Sequence, residues 1–472
     1  MNIEQKRMIR VLWFIIGMFL SLILYLSYFQ IFKREKIIDN EYNKRLWVDE
    51  NAIIKGDILD SQGNILATTK KDANGNNYRE YTNTSAFSHI TGYSSKKYGK
   101  TGIEKYFYNQ LMSVEEKTTF SQLKDIIITK ERGNDVKLTL NKKLQEFSYE
   151  KLKGHKGSIV LLNADTGEVY VMTSRPSFNP NKIVESWDDL INDNNSPLLN
   201  RATQGLYTPG SVFKLVVASA LEENKEFMDL SYEDKGNTVI DGYKISNYEG
   251  KAYGKIGLEK ALIHSVNTYF AELGVKLGRE KMDDMSKRFL FSKKIPFDIP
   301  VTESVSPFIA GQTKTELAAA CFGQGKTLVT PLNMALISAG LGNNGIIMKP
   351  MLVKEITSTD KSVIKSYKPQ ILAEPLPARV ANKIENYMYS VVNNGSRAKV
   401  SGVKVGGKTG TAETASGKTH AWFTGFAKKN NLNIAIAVVL EEDGTLGGRT
   451  AAPIAGEIFK EAIKVLTSSL ER

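Results

Sequence analysis

From Val11 to Phe32 no charged side chain interrupts the chain, and the run carries Trp13, Phe14, Ile15, Ile16, Leu20, Ile23 and Leu24. Such a stretch reaches the roughly 20 residues that a helix needs to cross the hydrocarbon core of a bilayer. A cleaved signal peptide would have a shorter apolar region followed by a small-x-small site. Tyr28-Phe29-Gln30-Ile31-Phe32 follows instead, so the pattern predicts an uncleaved anchor. Lys6, Arg7 and Arg10 before the run and Lys33, Arg34 and Lys36 after it balance nearly enough that charge alone does not orient it. From there to about residue 150 the chain is polar and turn-rich. Asp57–Asp60, Ser61–Gly63 and Asn64–Ala67 read as a hairpin, and Lys70–Tyr81 as a loop.

A second pattern opens near Lys156. Ser158–Leu162 and Glu168–Met172 are strand-like runs separated by the turn Asp165-Thr166-Gly167. Helical periodicity follows at Phe213–Leu221 and Leu258–Leu277. Strand signals return at Val403–Thr411, Ala421–Ala427 and Leu432–Leu440. A tail from Ile454 places Ile458, Phe459, Ala462, Ile463 and Leu466 on one helical stripe. Two strands, a helical block, three strands and a closing helix predict an α/β chain of the α+β type. Its five-stranded sheet would be mostly antiparallel and carry a helical insertion, because the last three strands follow one another through short turns. The expected divisions are 1–10, the span 11–32, a small α+β module 33–150 and the larger domain 151–472.

Composition narrows the chemistry. The hydrophobic fraction of 42% excludes wholesale disorder. The net charge of +12 suits nucleic acid, anionic lipid or an anionic cell wall, but no RNP-like or zinc-finger pattern favours nucleic acid, which is not expected as a partner. Cys321 is the only cysteine, so no intrachain disulfide forms; its apolar neighbours mark it as a buried small side chain. His89, His155, His264 and His420 have no metal-ligand spacing, so neither a metal nor a cofactor is expected.

Three short motifs carry the chemistry. In Pro209-Gly210-Ser211-Val212-Phe213-Lys214, Pro-Gly breaks the preceding structure and an apolar helix follows. That places Ser211 at a helix start and Lys214 one turn along the same face. A serine needs a base beside it, and a lysine is one only if burial or another cation depresses its pKa. Ser-x-x-Lys also occurs at Ser94, Ser121, Ser148, Ser358, Ser362, Ser396 and Ser401, but only Ser211 is set between a Pro-Gly break and an apolar helix. Ser265-Val266-Asn267 interrupts the second helical pattern. From a junction there, Ser265 could relay a proton and Asn267 could hold a substrate backbone. Gly407-Lys408-Thr409-Gly410-Thr411-Ala412 lies in a strand-like segment whose small residues admit a substrate along the backbone. Lys408 offers a permanent cation for a carboxylate and depresses Lys214, while Thr409 and Thr411 offer hydroxyls. Lys100-Thr101-Gly102 is a decoy of the third motif, because it precedes the serine.

Together, in this order, the motifs match the set described for penicillin-binding proteins and class A β-lactamases. The chain resembles the class B penicillin-binding proteins over most of its length. The resemblance rests on Thr208–Lys214 preceded by Asn200-Arg201-Ala202, on Ser265–Thr268, and on Lys408–Glu413. It extends to Asp165–Glu168, Ser174–Phe178, Gly323-Gln324-Gly325 through Thr330-Pro331, and Ala421-Trp422-Phe423. Lys55–Asp60 and Gly99–Glu104 are similar to the family's pedestal stretches, with Lys55 and Ser61 where arginines are usual.

The resemblance implies a serine-penicillin-recognising transpeptidase domain on a compact pedestal. It implies a D,D-transpeptidase that cross-links peptidoglycan outside the cell membrane, held there by one helix behind a cytoplasmic tail. Ser211 would be acylated by the penultimate D-Ala of a stem peptide, Lys214 would be the base, and Ser265 would relay the proton. Asn267, Lys408, Thr409, Gly410 and Thr411 would bind substrate, with the N–H groups of Ser211 and Thr411 as oxyanion hole. β-Lactam antibiotics would acylate Ser211, and a SEDS-type glycosyltransferase would be the partner. The rivals are a D,D-carboxypeptidase, a β-lactam sensor, a β-lactamase, whose Glu-x-x-Leu-Asn pattern is missing, and a non-catalytic scaffold.

Overall fold

The computed structural model describes residues 3–32, 54–82, 84–113, 132–226, 228–414 and 416–470. Helix α1 (Ile3–Phe32) contains the whole apolar run, starting before it. By length and composition it suffices to cross a membrane. The basic residues after the run, and Ser121, lie outside the described residues.

Elements of the two large sheets are numbered in chain order. Strands β1 (Ile58–Leu59) and β2 (Ile65–Lys71) form the expected hairpin, with Ile58 opposite Ala67. The carboxylate of Asp60 accepts the N–H groups of Gln62 and Asn64, closing the turn. Lys70–Tyr81 is not the loop its polarity predicts. β2 runs to Lys71 and pairs with β3 (Asn77–Tyr81), and Asp72 closes a tight turn by accepting the N–H groups of Asn74 and Asn76. The hairpin's tip is solvent-exposed, so its strands need no apolar alternation there.

Helices α2 (Thr84–Thr91) and α3 (Gly102–Tyr106) precede β4 (Asp135–Leu138), which runs parallel to β1. At the centre of this module Glu104 is fully buried. Burial alone would raise its pKa, but the charges of Arg79 and then Lys55 outweigh that and hold it low. Arg79 donates to it at 2.6 Å and Lys55 stands 3.8 Å away.

Helix α4 (Lys142–Lys151) leads into β5 (Gly157–Asn163) and β6 (Val169–Arg175). The helical block follows. Its helices α5 (Lys214–Glu223), α6 (Leu258–Ile263), α7 (Asn267–Leu277) and α8 (Pro331–Leu341) position the site. β7 (Val353–Thr357) and β8 (Val363–Ser366) then leave this block and join the first sheet, whose order is β8-β7-β4-β1-β2-β3. Val353 pairs with Leu138 and Ile356 with Val136, so one mixed sheet spans both regions of the chain.

β9 (Lys404–Glu413), β10 (Thr419–Lys429) and β11 (Leu432–Leu440) complete a five-stranded antiparallel sheet in the order β9-β10-β11-β5-β6, and α9 (Ala451–Leu470) closes the chain. Every residue of β11 is buried. Ala435, Ala437 and Val439 belong to the core shared with the helical block; Ile434, Ile436 and Val438 belong to the core under α9. The alternation of a pleated strand therefore serves two apolar layers. β9 is left as an edge strand.

Candidate active site

The serine motif is shaped by contacts that only glycine allows. Gly210 has φ +54°, and a Cβ on it would lie 2.5 Å from the carbonyl oxygen of Thr411. Its N–H donates to Gly323 O at 2.9 Å, and a Cβ on Gly323 would come within 1.9 Å of Gly210 O. A Cβ on Gly410 would meet Pro209 O at 2.8 Å. Three glycines thus let β9 and the Gly323 turn close on the segment around Ser211. Trp422, fully buried in β10, donates its indole N–H to Thr208 O at 3.0 Å and fixes the approach. Ser211 sits half-buried on the single 3₁₀ turn Gly210–Val212, and Lys214, fully buried, is the first residue of α5.

The expected junction within Leu258–Leu277 is present. α6 ends at Ile263, α7 begins at Asn267, and Ser265 between them takes φ +55°. A left-handed serine costs about 1–2 kcal/mol, and such strain persists only where neighbours over-determine it. The Asp234 carboxylate supplies the determination. Fully buried, it accepts from Thr268 Oγ1 at 2.7 Å, Asn247 Nδ2 at 2.9 Å, Tyr253 N at 2.9 Å and Gly236 N at 3.1 Å. Asn247 Oδ1 in turn accepts Thr268 N. The first turn of α7 is thereby locked.

Two lysines converge on this junction. Lys214 Nζ contacts Ser265 O at 2.8 Å, Ser265 Oγ at 3.1 Å and Asn267 Oδ1 at 2.7 Å. Lys408 Nζ reaches the same Ser265 Oγ at 3.1 Å and Thr409 O at 3.0 Å. Burial, then the charge of Lys408, drives the pKa of Lys214 well below that of a free lysine. Three acceptors around Nζ oppose this direction, since they suit an ammonium; desolvation and the second cation prevail. Once Lys214 is neutral, the Ser265 hydroxyl can donate to it while accepting from Lys408. Lys408 is not the permanent cation that the sequence predicts: burial pushes it down to about 7, because no carboxylate stands beside it among the described residues.

The structure therefore gathers Lys214, Ser265, Asn267 and Lys408 by hydrogen bonds, while Ser211 stands on the turn just before Lys214 with no hydrogen bond from its Oγ to them. Thr409, Gly410 and Thr411 follow Lys408 along β9, and Thr411 Oγ1 accepts Gly447 N at 3.3 Å. Lys100 of the decoy lies outside the cleft, 4.5 Å over the ring of Tyr108. Cys321 is buried as expected, its thiol pKa pushed up by desolvation, and its Sγ fills the space that a Cβ on Gly274 would need. Sequence reasoning misses Asp234 and Asn247, which carry no periodic or motif signal. Asp234→Ala strips an acceptor from four donors and is expected to cost about 3 kcal/mol or more. A thermal melt would read this as a drop of several degrees; an unchanged melting temperature would mean that the four donors find other partners.

Comparison with known proteins agrees with this geometry. Residues 157–462 match the family model described as penicillin binding protein transpeptidase domain, and residues 55–136 match that of the penicillin binding protein A dimerisation domain. The peptidoglycan D,D-transpeptidase PbpA of Mycolicibacterium smegmatis is 28% identical over 465 residues, 92% of this chain and 94% of that protein. The imipenem acyl-enzyme complex of penicillin-binding protein A from M. tuberculosis superposes with a TM-score of 0.81 at 26% identity, covering 88% of this chain and 99% of that one. The D,D-transpeptidase domain of a peptidoglycan glycosyltransferase from Eggerthella lenta does so with a TM-score of 0.79 at 32% identity, covering 88% and 99%.

Proposed function

Because this chain belongs to the class B penicillin-binding protein family of D,D-transpeptidase-type enzymes, we propose that Ser211 is its nucleophile and that it cross-links peptidoglycan stem peptides. The observation that carries this reading is the Ser265 hydroxyl, which touches both lysines at 3.1 Å. A neutral Lys214 takes the Ser211 proton as Oγ attacks the carbonyl of the penultimate D-Ala. Ser265 passes that proton on to the departing amine of the terminal D-Ala. The N–H groups of Ser211 and Thr411 receive the developing oxyanion, a reading supported by the packing of Gly210 against Thr411 O. Lys408, with Thr409, takes the terminal carboxylate; Gly410 leaves room for the substrate backbone; Asn267 holds the backbone opposite. Since β9 is an edge strand, its outer backbone groups are open to an added peptide strand. An amine of a second stem peptide then displaces Ser211.

The rest of the reading follows from the same family. Residues 11–32 anchor the protein in the cell membrane, 1–10 lie inside, 33–150 form the pedestal and 151–472 the catalytic domain outside. β-Lactams acylate Ser211, and a SEDS-type glycosyltransferase is the proposed partner.

The fate of the acyl group tests this assignment. Hydrolysis needs a base to activate water, and among the described residues no carboxylate hydrogen-bonds to Ser211, Lys214, Ser265 or Lys408. Glu413 is exposed at the far end of β9, opposite Thr419. A penicillin is therefore expected to add its full mass to the peptide containing Ser211. Followed by intact-protein mass spectrometry, the adduct should persist while free drug is not consumed. Rapid return to the unmodified mass with release of hydrolysed drug would favour a β-lactamase.

A further inference from the structure

β9 meets the Ser265 junction through Lys408; the segment Ser246–His264 borders the same junction from the helical block and has no part in the chemistry above. Three of its side chains are stacked on one another. His264, the residue before Ser265, lies face to face with Tyr253, ring centroids 4.6 Å apart and planes 19° from parallel. The Lys251 ammonium stands 5.2 Å over the Tyr253 ring. The stack is built on the Asp234 carboxylate, which accepts Tyr253 N at 2.9 Å and Asn247 Nδ2 at 2.9 Å. Asn247 Nδ2 also reaches Lys251 O at 3.0 Å, and Ser246 O accepts the Asn267 carboxamide at 3.1 Å. The contacts that lock the first turn of α7 therefore hold this stack against it.

The stack is electropositive and open to solvent. Lys251, Lys260 and His264 are exposed and Tyr253 is half-buried. Among the described residues neither Lys251 nor Lys260 has an ion-pair partner. Partial burial, then the charges of Lys251 and Lys260, lowers the pKa of His264, so at neutral pH its ring adds no charge and still offers an N–H. Two carboxylates are near in sequence. Glu259 accepts from Ser390 Oγ at 2.6 Å. Glu249 is exposed, and its charge, after burial and Asp234, raises the pKa of Tyr253. A surface of this kind attracts an anion and repels an ammonium.

We propose that Lys251, Tyr253 and His264 form a subsite for the acyl acceptor and select an amine that carries a neighbouring carboxylate. The donor peptide places its own carboxylate at Lys408 and its strand along β9, which leaves the incoming peptide the side of the junction that the stack borders. Lys251 takes the acceptor's carboxylate, the His264 ring donates to it, and Tyr253 holds the two in place. The surrounding cations favour the free amine over its ammonium, and the free amine is the form that attacks. Its nitrogen bonds to the acyl carbon, the bond from that carbon to Ser211 Oγ breaks, and the amine proton returns to Oγ through Lys214. The inference rests on the acyl-enzyme at Ser211, and the test tells the two apart.

Full-length protein in detergent would receive an N-acyl-D-alanyl thioester as donor and either free glycine or glycinamide as acceptor, the products being counted by mass spectrometry per free amine. Glycine should be preferred about fivefold, as much as an exposed ion pair contributes. Lys251→Met should cut that preference at least about threefold, while Lys251→Arg should keep it. Glu249→Gln should raise it about twofold, because it removes a competing charge. The Lys251→Met arm also separates this subsite from a carboxylate held at Lys408, since only the former responds to it. Penicillin uptake by each variant reports an intact fold. An acyl adduct on Ser211 with no preference for glycine over glycinamide, or with the same preference in Lys251→Met, would overturn the inference alone. Absence of any adduct on Ser211 would overturn the reading of Ser211 and the inference with it.

Discussion

A Ser211→Ala protein is expected to melt at the wild-type temperature and to take up no fluorescent penicillin. The first half follows from the side chain's surroundings. Ser211 is half-buried, and among the described residues nothing hydrogen-bonds to its Oγ. Removing that oxygen strands no partner, so the stability change should stay within about 0.5 kcal/mol. The second half follows from the competing serines. Ser94 accepts from Lys55 within the pedestal. Ser358 and Ser362 bond to each other in the exposed turn between β7 and β8. The buried Lys55 is engaged by the Glu104 carboxylate 3.8 Å away, and Ser358 and Ser362 have only the exposed Lys361 beside them. Loss of a nucleophile costs on the order of 10⁶ in rate where the machinery acts as a unit, so gel fluorescence should fall to background. Labelling that survives would move the nucleophile elsewhere.

The second large effect is in the pH dependence of acylation. Lys214 must be neutral to act as a base, so activity rises with pH through its depressed pKa. Lys408 must be charged to hold a carboxylate, so apparent second-order acylation falls as pH rises through about 7 in the empty cleft. The profile should be a bell whose alkaline limb reports Lys408. Lys408→Ala is expected to lower the rate by about 10²-fold or more, given what a buried charge-assisted contact contributes. It should also abolish the alkaline limb. Removing a cation beside Lys214 relieves repulsion, so the pKa of Lys214 rises and the acid limb moves to higher pH. Lys100→Ala should leave both rate and profile unaltered. Stopped-flow acylation across pH with the two mutants checks this, and equal losses in both would mean that the wrong lysine-threonine-glycine stretch was chosen.

The five-stranded sheet is legible because its strands are near-continuous runs of β-branched and aromatic residues bounded by turns, as at Leu432–Leu440. The cleft is legible because each motif also breaks a local pattern: Pro209-Gly210 ends an irregular segment, and Ser265 interrupts a helix. What the sequence hides is of two kinds. Lys70–Tyr81 forms an exposed hairpin tip, where polar residues satisfy the strand as well as apolar ones. Asp234 acts only through four donors scattered from Gly236 to Thr268, a convergence that no local spacing encodes. The titration of Lys408 belongs here too, since it depends on a desolvation that arises where β9 meets the Ser265 junction.

The pairing of β7 with β4 turns the boundary near residue 150 into a seam rather than a hinge. A fragment starting at residue 151 would discard β4 and bare the inner edge of β7, where Val353 and Ile356 are buried. It would also lose α4, whose Leu144 lies in the core under α9, and Gln145, which bonds Ala86 O on one side and Met172 O on the other. An uncovered strand edge invites intermolecular pairing. For this chain, then, gene shuffling or a trimmed expression fragment that treats the catalytic half as a cassette inherits an adhesive surface. Pedestal and catalytic half have to be exchanged, or evolved, as one piece.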